Sequence, residues 1–288
     1  MTMRKITILL SVLALLCGCS SKSNSDGDKT IYVTITPLKA IIEEITCGDF
    51  TVDVIVPDGA SPETYEPTAK QLAKVNESRL IFSTGLITFE QSIVEHIDDS
   101  DKVKNLSAGI ELIEGSCSHH HHHHHHHHGI DPHIWTSPKA LHKMVTTARD
   151  IIVKEFPDKT EYAEAADRLL ERIEALDKWC HDKIANSEVK AIMIYHPAYT
   201  YYARDYDIEQ IAIEHDGKEP TPKQLTELSD KGKALSIDVI FHQPQYSADK
   251  VSAIADEIGA RIIETNPLSN DIIGEIERIT NIICGGNE

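Results

Sequence analysis

The sequence is poor in basic residues, with 28 lysines and arginines against 46 aspartates and glutamates among its 288 residues. The formal charge of -18 at pH 7 argues against a nucleic-acid partner, because nucleic acid binds to a basic surface. The same charge favours the attraction of cations over anions. The length of the chain allows two domains of ordinary size, with a sizeable core.

The apolar run near the amino terminus, residues 6–16, is too short to span a bilayer. Since it follows two basic residues and ends in small residues, it indicates an export signal. Its end resembles a bacterial lipobox, so we expect residues 1–19 to be a lipoprotein signal peptide and Cys19 to be lipidated. A signal that is uncleaved, or cleaved in the ordinary way, is the alternative. Residues 20–30 then form a flexible polar tether, and the protein is an exported bacterial lipoprotein, periplasmic or at the cell surface.

Cysteines are also few, and the four beyond the signal form neither a disulfide framework nor a zinc-ribbon pattern. Cys117 lies beside a run of histidines, where its thiolate could add a soft metal ligand. We interpret Cys47 and Cys180 as small apolar fillers or as one adventitious pair. The pairing state of these three and of Cys284 is left open.

Both halves of the chain alternate strand-like and helix-like patterns. Strands are predicted at 31–35, 52–56, 79–83, 189–194, 209–213, 238–241 and 261–264. Helices are predicted at 37–45, 68–75, 89–97 and 138–156, and then near residue 199 and from residues 221, 248 and 272. Such alternation predicts parallel sheets covered by helices on both faces.

A long charged segment with few helix breakers occupies residues 158–186 and predicts a helix roughly 40 Å long. We therefore predict an α/β fold with two lobes, each a mostly parallel sheet flanked by helices, joined by this one long, rigid backbone helix. The amino-terminal lobe spans residues 31–157 and the carboxy-terminal lobe residues 187–288. An ordinary surface helix is the alternative interpretation of the long segment.

Ten consecutive histidines lie within a loop predicted over residues 115–129. An apolar core would leave their ring nitrogens unpaired, so the loop must be solvated. Neutral imidazole is the commonest side-chain ligand for metals such as Zn²⁺. An expression tag is the alternative, although a tag normally occupies a terminus and this run lies mid-chain. We predict an accessory metal-collecting loop made of His119, His120, His121, His122, His123, His124, His125, His126, His127 and His128.

Three loops carry further candidate ligands: Glu63 follows the second strand, His133 belongs to an Asp-Pro-His motif, and His196 follows the strand at 189–194. In open α/β sheets, ligands collect at the carboxyl ends of strands. Two histidines and a carboxylate from both lobes would form a site suited to Zn²⁺ and would leave one net positive charge. Each residue alone has an ordinary structural interpretation, but the neighbouring histidine run favours a metal site.

Four segments, residues 59–67, 131–138, 195–199 and 241–246, resemble the zinc- and manganese-binding solute-binding lipoproteins of bacterial ABC importers, of the ZnuA-like and TroA-like type. The zinc branch of that family carries an acidic or histidine-rich loop where this chain has its ten histidines. The resemblance covers nearly everything from residue 31 to residue 283. It implies two lobes tied by one long helix, one metal ion in the cleft between them, and little hinge motion.

The resemblance also implies ligands, because His133 and His196 match the second and third ligand positions of the family. The first ligand is usually a histidine where this chain has Glu63, which can still bind zinc through oxygen. Two positions where relatives often carry aspartate or glutamate are amides here. The fourth ligand therefore stays open between water and three side chains, namely Gln243, Asn266 and His215.

We therefore expect a monomeric receptor that captures Zn²⁺ with high affinity and delivers it to the permease of an ABC importer, anchored by a lipid on Cys19. Mn²⁺ is less favoured, because it prefers more oxygen ligands than two imidazoles leave room for. The alternatives are a manganese-specific receptor, a zinc-dependent hydrolase, and a zinc buffer or adhesin without a permease. The sequence lacks a His-Glu-x-x-His helix and a Gly-x-Ser-x-Gly elbow, so we predict no enzyme activity.

Overall fold

The computed structural model describes residues 29–114, 129–215 and 217–286. Cys19 and the histidines at 119–128 lie outside these ranges. The strands are β1 (Thr30–Val33), β2 (Thr51–Val54), β3 (Leu80–Ser83), β4 (Val103–Asn105), β5 (Ala191–Ile194), β6 (Glu209–Ala212), β7 (Val239–His242) and β8 (Arg261–Glu264). The helices are α1 (Thr36–Ile45), α2 (Ala69–Asn76), α3 (Thr88–His96), α4 (Pro138–Glu155), α5 (Thr160–Ala185), α6 (Thr200–Asp205), α7 (Pro222–Ala234), α8 (Asp249–Ile258) and α9 (Ile272–Ile283).

The strands form two four-stranded sheets with the orders β2-β1-β3-β4 and β6-β5-β7-β8. Every pair of neighbouring strands in both sheets is parallel. The second sheet repeats the order of the first, since in each the first strand of the lobe lies between the second and the third. These sheets and the helices around them confirm the predicted α/β fold class.

Two of the strands inside the sheets, one in each sheet, are buried along their whole length. In β3 and β5 all four residues are buried, which is typical of parallel strands covered by helices on both faces. Strand β4 was not predicted, because its three residues are only partly buried or exposed and show no hydrophobic period.

Helix α5 is the longest helix in the described part of the chain, with 26 residues. It packs against α1 and α4, near the first sheet, and against α9, near the second. It lies within the predicted 158–186 segment, and the lobe boundaries themselves stay a prediction. Its buried side chains recur at helical spacing and are Tyr162, Ala165, Ala166, Leu169, Ile173, Leu176, Cys180 and Ile184.

Cys180 is thus buried in the core, as expected for an apolar filler. Cys47 is exposed, so the same interpretation is wrong for it, and neither thiol is in a disulfide. Cys47 lies in the turn after α1, where it has φ of 53° and the next residue, Gly48, has φ of 75°. Among the described residues, none of the helices combines the length and apolarity that a membrane crossing requires.

The segment after His133 joins the two halves of the molecule. The Trp135 indole donates a hydrogen bond of 2.8 Å to the carbonyl of Pro267, which follows β8. The Thr136 hydroxyl donates one of 2.9 Å to the carbonyl of Ala198, which follows β5. Both side chains are buried, so these bonds hold the segment that carries His133 firmly against the second sheet.

Candidate metal centre

Three of the predicted ligands, Glu63, His133 and His196, come together between the two sheets. Each offers one ligand atom, and these atoms all lie within 4.8 Å of one another. The Nε2 atoms of His133 and His196 are 3.4 Å apart, and Nε2 of His196 lies 3.4 Å from Oε1 of Glu63. Three donors at such spacing can converge on one small cation.

The three side chains arrive from different elements. Glu63 lies in the turn that follows β2, and His196 lies two residues beyond β5. His133 begins the 3₁₀ turn Ile134–Thr136, which leads into α4. Glu63 follows a strand of the first sheet and His196 follows a strand of the second, so each lies at the carboxyl edge of its own sheet. The two residues meet where these edges approach one another.

Each histidine is oriented by a carboxylate on its other ring nitrogen. Nδ1 of His133 lies 2.9 Å from Oδ1 of Asp131, which also accepts the His133 backbone N–H at 2.9 Å. Nδ1 of His196 lies 2.6 Å from Oε1 of Glu214. Because each Nδ1 is engaged in this way, both Nε2 atoms are directed towards Glu63 and one another.

Sequence reasoning assigned no role to Asp131 or Glu214. Asp131 belongs to the Asp-Pro-His motif, and its spacing of two residues from His133 was a usable signal. Glu214 is 18 residues from His196, so no local pattern connects them. The signal was its position just after β6, since β6 pairs with β5 and their carboxyl ends are neighbours.

The cluster lines a small cavity of about 30 Å³ with largely apolar walls that include Ile87, Trp135 and Leu268. A single water molecule needs about 10–15 Å³ of such space, whereas pockets for organic ligands begin at about 300 Å³. The cavity therefore has room for one small ion with at most a water molecule. His133 and His196 are 8% and 9% exposed, whereas the Glu63 side chain is 42% exposed, so a bound ion would be shielded on the histidine side and open to solvent beside Glu63.

The charges of the cluster favour a cation. Burial lowers the pKa of His196, but its hydrogen bonds with Glu214 and Glu63 outweigh burial and raise the pKa to about 9. Burial raises the pKa of Glu63, but its interactions with His196 and His133 outweigh this and lower the pKa. With Asp131, the site holds three carboxylates around two imidazoles. A dication on neutral histidines would thus leave one net negative charge, not the positive charge expected from Glu63 alone.

The comparison with protein families agrees with this chemistry. The family model described as "Zinc-uptake complex component A periplasmic" matches residues 31–277, which is most of the chain. The chain belongs to this family. The resemblance expected from the sequence motifs is confirmed, and so is the prediction that the chain is not an enzyme.

Several proteins are similar in sequence to this member of the zinc-uptake family. The zinc-binding lipoprotein AdcA of Streptococcus pneumoniae serotype 4 is 28% identical over 281 residues, which cover 93% of this chain and 56% of AdcA. The chain thus spans about half the length of the AdcA relatives that it matches. The high-affinity zinc uptake system protein ZnuA of Bacillus subtilis is 31% identical over 271 residues, covering 89% of this chain and 85% of that protein. The manganese-binding lipoprotein MntA of Halalkalibacterium halodurans is 27% identical over 266 residues, with the same coverage of 89% and 85%.

Solved structures of ZnuA share the fold. A crystal structure of ZnuA superposes with a TM-score of 0.80 at 29% identity and covers 91% of this chain and 100% of that one. A zinc-bound ZnuA deletion mutant superposes with a TM-score of 0.79 at 28% identity, with coverage of 91% and 99%. These similarities confirm the predicted two-lobed architecture.

The three candidates for a fourth ligand of this family member lie in different places. Gln243 lines the cavity, but its Oε1 accepts the His196 N–H at 3.3 Å and its Nε2 donates to the His196 carbonyl at 2.6 Å. Asn266 lines a neighbouring cavity, and its Oδ1 accepts the N–H of Leu268. His215 is not among the described residues that line the cavity, and its backbone pairs with Lys218. Of the three, only Gln243 is among the described residues that line the cavity, and its amide there is bonded to the backbone of His196.

Proposed function

We propose that this protein is a receptor that captures one Zn²⁺ ion between its lobes and delivers it to the permease of an ABC importer. Glu63, His133 and His196 are the proposed ligands. The observation that supports this proposal most strongly is the arrangement of the histidines, whose Nε2 atoms lie 3.4 Å apart while both Nδ1 atoms contact carboxylates. This is the usual arrangement of histidines that bind a metal.

Zinc fits the proposed ligands better than manganese does. Two imidazoles and one carboxylate form a borderline donor set, whereas Mn²⁺ prefers carboxylate, carbonyl and water ligands. The small cavity adds few oxygen donors, since the Gln243 amide is already bonded to the His196 backbone. In our proposal a water molecule or Gln243 completes the coordination. A manganese receptor is the second candidate, because a manganese-binding lipoprotein is among the named relatives.

We also propose that the protein is exported and held at the membrane by a lipid on Cys19 and that it acts as a monomer. The names of two relatives as lipoproteins support the anchor. The site supports a receptor over a hydrolase, because a cavity of about 30 Å³ has no room for an organic substrate beside the ion.

The proposed accessory loop begins and ends close to the cluster. Glu114 and Ile130 form an antiparallel bridge, and the N–H of Asp131 donates to the carbonyl of Ile113 at 2.9 Å. Both ends of the segment that carries residues 119–128 are therefore fixed beside Asp131, the partner of His133. A weak chelator tethered there raises the local zinc concentration at the site. We propose that the loop collects zinc for the cleft or senses that zinc is plentiful.

The experiment that tests the receptor is a competition titration of the full chain with a chromogenic chelator, with Zn²⁺ and Mn²⁺ in parallel. We expect one tight equivalent of zinc, weaker additional zinc on the histidine loop, and much weaker manganese binding. His133→Ala should remove the tight equivalent and keep the weaker ones. Retention of the tight equivalent by this variant would contradict the assignment, and tighter manganese than zinc would favour the second candidate.

A further inference from the structure

The hydroxyl of Tyr201, on α6, joins two segments that meet beside the proposed ligand His133. It accepts a hydrogen bond of 3.1 Å from the backbone N–H of Ile113 and donates one of 2.8 Å to the backbone carbonyl of Asp131. The two segments also bond directly, because the N–H of Asp131 donates to the carbonyl of Ile113 at 2.9 Å. Tyr201 is fully buried, so little water competes for its two bonds.

Asp131 is the residue through which Tyr201 can act on the metal site. Its Oδ1 lies 2.9 Å from Nδ1 of His133 and accepts the His133 backbone N–H at the same distance. The side chains of Asp131 and His133 are only 9% and 10% exposed. Because the Asp131 carbonyl is bonded to Tyr201, the backbone that carries this carboxylate is fixed, and the carboxylate in turn fixes the direction of the His133 ring.

The start of α6 is held against the second sheet, so Tyr201 bonds to the Asp131 backbone from a fixed position. The N–H of Tyr199 donates to Oε1 of Gln210 in β6 at 2.6 Å, and Nε2 of the same amide donates to Oγ1 of Thr200 at 2.8 Å. His196 belongs to the same stretch of chain, between β5 and α6. Tyr201 therefore ties the segment with Asp131 to the segment that carries His196.

Arg204 supports the Tyr201 ring three residues further along α6. Its guanidinium carbon lies 5.1 Å from the centroid of the ring, and its Nη1 donates to the carbonyl of Glu111 at 2.8 Å. Glu111 lies two residues before Ile113, so two side chains of α6 bond to the same segment. These contacts limit the movement of Tyr201, and its hydroxyl is held in place to bond with Asp131.

We propose that Tyr201 is a positioning residue that strengthens zinc binding by holding Asp131, and through it His133, in the geometry that the ion requires. This inference rests on the proposed function, because it concerns binding of the captured ion. The Tyr201 hydroxyl is bonded to backbone groups and is not one of the proposed ligands. Without it, the Asp131 backbone can shift, and binding must then order the His133 ring at a cost in affinity.

The test is chelator competition with the full chain for Tyr201→Phe, which removes the hydroxyl and keeps the ring. Zinc affinity should fall about three- to tenfold, less than the roughly 10- to 100-fold loss expected when a carboxylate that contacts a metal-binding histidine is removed. Tyr202→Phe is the matched control, because Tyr202 is the next residue of α6, is also fully buried, and has its hydroxyl 2.7 Å from Oγ1 of Thr280 on α9. Both variants should lose stability against urea, whereas only Tyr201→Phe should lose zinc affinity.

A double-mutant cycle with Asp131→Ala tests whether Tyr201 acts through Asp131. Asp131→Ala alone should lower zinc affinity about 10- to 100-fold. Adding Tyr201→Phe should cause little further loss, because the carboxylate through which the hydroxyl acts is already gone. Wild-type affinity in Tyr201→Phe, an equal loss in Tyr202→Phe, or losses that multiply in the double variant would overturn the inference alone. If the wild-type protein binds no tight equivalent of zinc, the proposed function fails as well, so the two failures are distinguishable.

Discussion

Oε1 of Glu214 accepts a hydrogen bond from Nδ1 of His196 at 2.6 Å, and this bond directs Nε2 of His196 towards Glu63 and His133. Glu214 is itself 4% exposed, so its charge is poorly screened by solvent. The carboxylate fixes the ring and increases its basicity, both of which strengthen a bond to a metal.

Removal of this carboxylate should therefore weaken zinc binding. We expect Glu214→Gln to lose about 10- to 100-fold in zinc affinity, the usual effect of changing a residue that orients a metal ligand. Chelator competition measures the change. Glu209→Gln is the control, because Glu209 begins β6, the strand that Glu214 follows, and pairs with Lys231 on the surface. Equal affinities for Glu214→Gln and wild type would show that the hydrogen bond does not support binding.

Zinc binding should release protons at pH 7. The hydrogen bonds with Glu214 and Glu63 outweigh burial and raise the pKa of His196 to about 9, so the ring is protonated at pH 7 and must lose a proton to bind metal. Affinity should fall as the pH is lowered from 9 to 6, because protons then compete more strongly. Calorimetry in buffers of different ionisation enthalpy measures the release. A binding enthalpy that does not depend on the buffer would contradict this prediction.

Without metal, a rise in pH should lower the stability of the folded protein, whereas it strengthens zinc binding. A histidine whose pKa is higher in the folded state than in the unfolded state stabilises the protein fully below pH 6.5 and loses that contribution as the pH rises through about 9. Chelator-treated wild type should therefore lose stability between pH 6.5 and pH 9 relative to His196→Ala, as measured by denaturant unfolding.

Trp135 should contribute to both stability and binding. Trp135→Phe leaves the buried carbonyl of Pro267 without its indole donor, which should lower the free energy of unfolding by about 1–3 kcal/mol. Since Trp135 also lines the cavity, zinc should bind more weakly. Trp179→Phe is the control, because Trp179 is only partly buried on α5 and lies away from the cluster. Urea unfolding measures both variants. If Trp135→Phe and Trp179→Phe lose the same free energy of unfolding, the bond to Pro267 makes no special contribution to stability.

Deletion of residues 119–128 should affect uptake more than affinity. The tight equivalent of zinc should keep its affinity, because Glu63, His133 and His196 lie outside the deleted segment. Cellular uptake should fall at limiting zinc and recover at plentiful zinc, because the tethered chelator matters only when free zinc is scarce. Replacement of the ten histidines by a Gly/Ser linker of equal length controls for the loss of chain. Unchanged uptake at limiting zinc would dispose of the collecting role.

The sequence predicts those parts of the structure that leave a local pattern. Strands β3 and β5 are predictable because their buried residues are continuous, whereas β4 has no such run. The position of Cys47 was not predictable, because no sequence pattern separates it from a buried cysteine, and it lies in a turn after α1 where Cys47 and Gly48 are both left-handed.

The candidate site also contains residues that a local sequence pattern reveals and residues that it does not. The three proposed ligands could be found from the sequence because each is a metal-ligand type placed in a loop. The contact of Glu214 with His196 could not, because it joins residues on different strands and depends on how the strands are ordered. Family resemblance located the cleft but did not indicate which neighbours hold His196 in place.

A crystal structure of the zinc-loaded protein, with anomalous data on both sides of the zinc edge, tests the central claim most directly. We expect a single strong anomalous peak bonded to Glu63, His133 and His196, with Zn–N and Zn–O distances of about 2.0–2.2 Å. A cleft without a peak, with zinc found only along residues 119–128, would contradict the account.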